Sequence, residues 1–431
     1  MPFRHRYSVG QILRFIQLVL SAAISLRGAS QAIDLFRHVL PVPLPLASCS
    51  WTTGRVWLLR LGDYKLIRPK EQAHDWVWIV DHSVQLGAEK CLLILGLRLS
   101  NLPPSGTSVC HAAVDAIELL PVTKSNGAIV WQQLEQAAKK TGIPREIISD
   151  HGSDVRVGIR TFCEHHPETC SIYAITHRAA NVLTHTLEQD EAWQQFTSLA
   201  AQSKSQIQQT ALAYLRAPKQ QRKARYMNIE KLVTWGWKLL MLLDQRKEML
   251  PVSAEECAQI DDKLGWIHTF REPLAEWHGL LQLIGTTEQV VREEGLHSKT
   301  PELLLERLGD IGVTERTREI RHELVTCVRE ESLKARPQER LLGSSEVIES
   351  VFGKLKRLEQ DQAHNGFTGL VLSAAALVST TTIAVIHQAM ERVSTQMVLD
   401  WCRETFGKSL QAKRKEAFAG ILNEGIKMGS T

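Results

Sequence analysis

The sequence predicts an α/β protein, with a mixed sheet core interrupted by an all-helical insertion, a helical domain before it and further helices after it. Three observations predict this. From Trp76 onward short apolar runs follow one another and then alternate with helical stretches, the pattern of strands buried on at least one face. After about His185 that texture gives way, as far as about Arg340, to helices with charged faces that include Trp235 and Trp237. A single amphipathic helix then stands out after Gly343, from Ser345 to about Leu358.

The chain has 431 residues, and a prior of roughly 150 residues per domain leaves room for about three. Val9 to Ala22 and Leu26 to Val39 read as helices, the second closed by Pro41, Pro43 and Pro45, and Thr52 to Leu66 reads as a third. Three helices joined by tight turns are compatible with a helix-turn-helix DNA reader whose last helix enters the groove. They are equally compatible with a helical cap on the next domain. Residues 1–68 form this helical segment.

Residues 69–185 form the first part of the core. Trp76 to Asp81, Lys90 to Leu99 and Ala116 to Val122 read as strands. A helix from Ala128 to Lys140 is stopped by Gly142 and Pro144. A strand Glu146 to Ser149, a helix from about Asp154 to His165 and a strand Ser171 to Ile175 follow. Residues 186–340 are the helical insertion, and 341–431 complete the core and add C-terminal helices. Within the insertion, Arg216, Lys219, Arg222, Lys223 and Arg225 make a basic stretch that is either a solvated helix face or a phosphate-contacting surface.

A hydrophobic fraction of 44% and a charged fraction of 23% are those of a folded chain. The net charge of +4 says little about partners, because a nucleic-acid binder can confine its cations to one face. Eight cysteines scattered without a paired framework point to free thiols and a reducing cytoplasm. No convincing signal-peptide cleavage site follows the N-terminal apolar run. Gly369 to Ile386 is the most apolar stretch, but Ser373, Ser379 and Thr380 to Thr382 dilute it, so it reads as a buried helix rather than a membrane span.

Asp81 ends the first strand and Asp150 follows the fourth, positions where open α/β sheets carry ligand-binding groups. Two hard oxygen donors there suit Mg²⁺ or Mn²⁺, and a pair of such ions supports in-line phosphoryl transfer if a third carboxylate is present. In the helix after Gly343, Ile348, Val351, Phe352 and Leu355 form an apolar face with Glu349 at its edge. Lys356 lies two turns further along the same side, with Gly353 between them, and Lys354 is adjacent. Asp154 competes with Asp150 but is expected as a helix N-cap, and Glu346 competes with Glu349 but falls where an acid complements the helix dipole.

Ile148-Ser149-Asp150-His151-Gly152-Ser153, together with Glu349-Ser350 and the Leu355-Lys356 step, resembles the DDE transposases of bacterial insertion sequences and, more distantly, retroviral integrases. The resemblance covers roughly residues 76 to 180 and 344 to 360. It implies a ribonuclease-H-like core, DNA strand cleavage and strand transfer, and two Mg²⁺ or Mn²⁺ ions held by Asp81, Asp150 and Glu349. It further implies DNA as partner, both transposon ends and target, with a homodimer or larger assembly on it. Lys354, Lys356, His177 and Arg178 are the expected DNA contacts. One branch of the family has a Tyr and an Arg at the positions occupied here by Leu342 and Ser345, so membership of that branch is not implied. A non-catalytic DNA-binding descendant and a nuclease that hydrolyses without joining remain open. Cys163, His165, His166 and Cys170 match no usual zinc spacing.

Overall fold

A computed structural model describes residues 6–39, 47–86, 89–122, 124–220, 225–249, 254–312, 314–360, 369–407, 414 and 416–418. Pro41, Pro43, Pro45, Arg222 and Lys223 lie outside the described residues, as does the side chain of Arg225. Three helices come first: α1 (Val9–Leu20), α2 (Leu26–Val39) and α3 (Trp51–Ile67). Ser8 and Ser50 cap α1 and α3 by accepting the backbone N–H groups of Gln11 and Thr53, which satisfies donors that no helical carbonyl reaches.

The sheet is built from β1 (Trp76–Leu86), β2 (Glu89–Arg98), β3 (Asp115–Val122), β4 (Glu146–Ser149) and β5 (Cys170–Tyr173), in the order β3-β2-β1-β4-β5. β2 runs antiparallel to both β1 and β3, whereas β1 and β4 are parallel. Parallel pairing needs a long crossover, and α4 (Gly127–Thr141) lies between β3 and β4 in the chain. α5 (Ser153–His165) connects β4 to β5.

Residues alternate faces along a strand. Trp76, Trp78 and Val80 of β1 pack with Val130, Leu134 and Ala137 of α4 and with Val155, Ile159 and Phe162 of α5. Val77 and Ile79 point the other way and are also fully buried. α3, α13 (Glu346–Gln360) and α14 (Ser373–Leu377) all pack on the sheet. This is a mixed sheet flanked by many helices, a ribonuclease-H-like fold with helical insertions.

The chain divides into two compact units. The first comprises Met1–Pro104, Ser108–Ile172 and Ser345–Thr431, and the second Ser105–Thr107 and Tyr173–Ser344. The second holds α6 (Ile175–Glu188), α7 (Glu191–Ile207), α8 (Arg225–Met249), α9 (Ala254–Leu264), α10 (Arg271–Glu294), α11 (Thr300–Leu308) and α12 (Glu315–Ser332). It begins ahead of residue 186 because α6 packs against α10 and α12.

α1 to α3 fall within the first unit, and α3 is buried from Trp57 to Leu66. Three expectations need correction. β1 does not stop at Asp81 but runs on to Leu86, because its hairpin with β2 extends beyond β4. The last strand ends at Tyr173, and Ile175 already opens α6. The apolar stretch from Gly369 is not one helix. A 3-10 turn, Gly369–Leu372, leads into α14, the chain breaks with Ser379 at φ 52°, and α15 (Ile383–Arg392) restarts under the Thr382 cap. α16 (Thr395–Phe406) follows. Among the described residues no helix is long and apolar enough to cross a membrane.

Candidate active site

The last parallel rung between β1 and β4 pairs Val80 with Ser149. The next residues are Asp81, still within β1, and Asp150, just past the end of β4. β4 ends there while β1 continues. Alternation turns Asp81 away from the Trp78 and Val80 face, toward the face that does not carry α4 and α5. Both acids are half-buried.

The Gly152 N–H donates to Asp150 Oδ1 at 2.9 Å. This is an Asx turn, in which the side chain mimics a backbone carbonyl and reverses the chain. His151 takes φ 56° within it. The turn starts α5 at Ser153, with Gly152 as its cap and no side-chain capping bond. Asp154 is therefore not the N-cap that the sequence led us to expect. It lies in the first helical turn and accepts a hydrogen bond from Ser153 Oγ at 3.3 Å.

α13 packs on β1 and buries Val347, Ile348, Val351, Phe352, Leu355 and Leu358. The apolar face expected from the sequence is thus present and is wider by two residues. Glu349 is exposed, Glu346 is half-buried, and both lie in the first turn, where carboxylates oppose the positive end of the helix dipole. Position alone therefore does not separate them; exposure does. Gly353 is open, with no atom near the place a Cβ would occupy. Lys354 Nζ lies 3.0 Å from His111 Nδ1, and Lys356 is half-buried beside Glu359.

The donor set is carboxylate oxygen, the kind that suits Mg²⁺ or Mn²⁺. Asp81 lies within β1, Asp150 follows β4, and Glu349 is on a helix packed against β1. Among the described residues, however, no group of three or more His, Cys, Asp or Glu side chains gathers closely enough to hold a metal ion. Asp81, Asp150 and Glu349 therefore do not make up a gathered metal-holding group.

Sequence reasoning missed His82. Alternation puts it on the α5 side of β1, one residue past Asp81, where its Nε2 is buried without a hydrogen-bond partner. Burial and the charge of Lys90 hold its pKa below the usual histidine value, against the opposing pull of Asp154 and Asp150. The period-two pattern of the strand was the available signal.

His177 and Arg178 belong to the second unit, in the first turn of α6 rather than after a strand. The Arg178 guanidinium lies 5.9 Å from the centre of the Tyr173 ring, and His177 Nε2 is buried. His165 Nδ1 is 2.8 Å from the Thr161 carbonyl and His166 Nε2 is 3.1 Å from Glu135 Oε1, so the histidines of the Cys163 to Cys170 segment are engaged locally.

No family model matches the sequence and no curated protein matches it. Among solved structures, the chain resembles the Drosophila P element transposase strand transfer complex. The similarity has 13% sequence identity and a TM-score of 0.40, over 92% of this chain and 94% of that one.

Proposed function

We propose that the chain is a DNA transposase of the DDE type that cuts and joins the ends of an insertion sequence. One observation supports the reading: the parallel register of β1 with β4 runs up to Val80 and Ser149, the residues just before Asp81 and Asp150, and the Glu349 helix packs on β1. Asp81, Asp150 and Glu349 are the residues that would hold Mg²⁺ or Mn²⁺. The chemistry such ions would supply there is activation of an attacking oxygen and stabilisation of the leaving one. Lys354 and Lys356, on the same helix as Glu349, supply cations for the DNA backbone, and His177 and Arg178 are further proposed contacts. The partners are transposon ends and target DNA, bound by a homodimer or larger assembly in the cytoplasm.

A second reading, a DNA-binding descendant without catalysis, is favoured by the absence of a gathered metal-holding group among the described residues. One assay separates the two. Full-length protein is incubated with Mg²⁺ or Mn²⁺, a DNA carrying the sequences that flank its gene, and a target plasmid, and both nicked and joined products are measured. Asp81→Asn, Asp150→Asn and Glu349→Gln each abolish both products and leave DNA binding intact if the first reading holds. Undiminished cutting by Asp81→Asn sinks it, and binding without any cutting by the unmodified chain establishes the second reading.

A further inference from the structure

We infer that the second compact unit carries a single-stranded DNA-binding groove between the 3-10 turn Ala211–Leu215 and α8. Lys231, Thr234, Trp235, Lys238, Leu239 and Leu242 recur along one face of α8. With Tyr214, Leu215, Arg216, Pro218 and one acid, Glu230, they line a cavity of about 700 Å³. Trp235 Nε1 donates to the Leu215 carbonyl at 3.0 Å, and Gln220 Nε2 to the Thr197 carbonyl at 3.1 Å. The apolar floor is therefore held in place before anything binds.

Three cations outnumber the single acid on the rim. Arg216, Lys231 and Lys238 are exposed, as is Lys219 beside them in the chain. The charges of Arg216 and Lys219, added to burial, push the Lys204 ammonium below the usual lysine range, which places these three cations near one another. None of the five is ion-paired to an acid among the described residues. Like charges held together cost the fold energy, and a polyanion recovers that cost through its phosphates.

Charge alone does not choose between duplex and single strand; Tyr214 does. The residue is 60% exposed and lines the same cavity as Arg216, Lys231 and Lys238. An exposed ring among cations offers a stacking surface to unpaired bases, whose faces a duplex hides. The assignment is independent of the three core acids, and its test measures binding rather than cutting.

The test uses full-length protein, a labelled twenty-nucleotide oligothymidylate and a duplex of the same length, titrated by fluorescence anisotropy at several salt concentrations. Tyr214→Ala should weaken single-strand binding by about 5- to 100-fold, Tyr214→Phe should restore it, and duplex binding should stay unchanged. The triple variant Arg216→Gln, Lys231→Gln, Lys238→Gln should lower the slope of log affinity against log salt by about 2 for the single strand. All of these side chains are exposed, so circular dichroism should match the unmodified protein. Unchanged single-strand affinity in Tyr214→Ala, or an equal loss on the duplex, overturns the proposal. So does an unchanged salt slope in the triple variant.

Discussion

Lys65, fully buried in α3, donates a hydrogen bond to Thr381 Oγ1 at 2.8 Å. The same ammonium donates to the carbonyls of Ala376 and Ser379, each at 3.1 Å, and to that of Val378. One and a half turns earlier on α3, the buried Arg60 guanidinium donates to the carbonyls of Met390 and Val393. These oxygens lie at the C-terminal ends of α14 and α15, where no helical N–H reaches them and the dipole is negative. α3 is thus a buried rod whose cations cap two short helices more than 300 residues away.

Lys65→Met should therefore destabilise the protein by about 2–3 kcal/mol, because it leaves buried carbonyls without a donor while keeping most of the volume. Urea unfolding measures it. An unchanged midpoint would show that water replaces the ammonium without loss.

Gly62 sets the distance at which α3 passes the 3-10 turn. A Cβ there would lie 2.0 Å from the Leu372 carbonyl oxygen, which is backbone and cannot rotate away. Gly62→Ala should cost about 1–3 kcal/mol through forced displacement, even though alanine is the better helix former. A higher melting temperature in Gly62→Ala would mean that the two elements separate freely.

Much of the sheet was legible because buried strands announce themselves as apolar runs; Glu146–Ser149 was placed to the residue. What was not legible depends on partners distant in sequence. Nothing local marks β1 as continuing past Asp81, since only the hairpin with β2 sustains it. Nothing in α3 reveals that Arg60 and Lys65 are buried, because the oxygens that satisfy them come from the far end of the chain. At the site, the succession of acids could be read, and so could the apolar face of α13. That Asp81 and Asp150 each follow directly on a paired residue needed the parallel register, and the Asx turn at Asp150 competes with its expected chemistry for the same carboxylate.

That competition is testable. Asparagine retains the side-chain oxygen that accepts the Gly152 N–H, whereas alanine does not. Asp150→Asn should leave stability within about 0.5 kcal/mol of the parent, and Asp150→Ala should lose about 1 kcal/mol. Equal, large losses in thermal melts of both variants would show that the charge, rather than the turn, is what the fold requires.

Glu359 should make stability depend on pH. Burial raises its pKa to about 7, against the opposing charge of Lys356, and its place in the last turn of α13 sets an acid against the negative end of the helix. In the unfolded chain the group titrates near 4.3. Between those values the folded state binds more protons than the unfolded one, so stability falls as pH rises from about 4.5 to 7. Glu359→Gln removes this loss. The variant should melt above the parent at pH 8, and the difference should vanish by pH 4.5. A difference that stays constant between pH 4.5 and 8 would assign the effect to packing rather than to the proton.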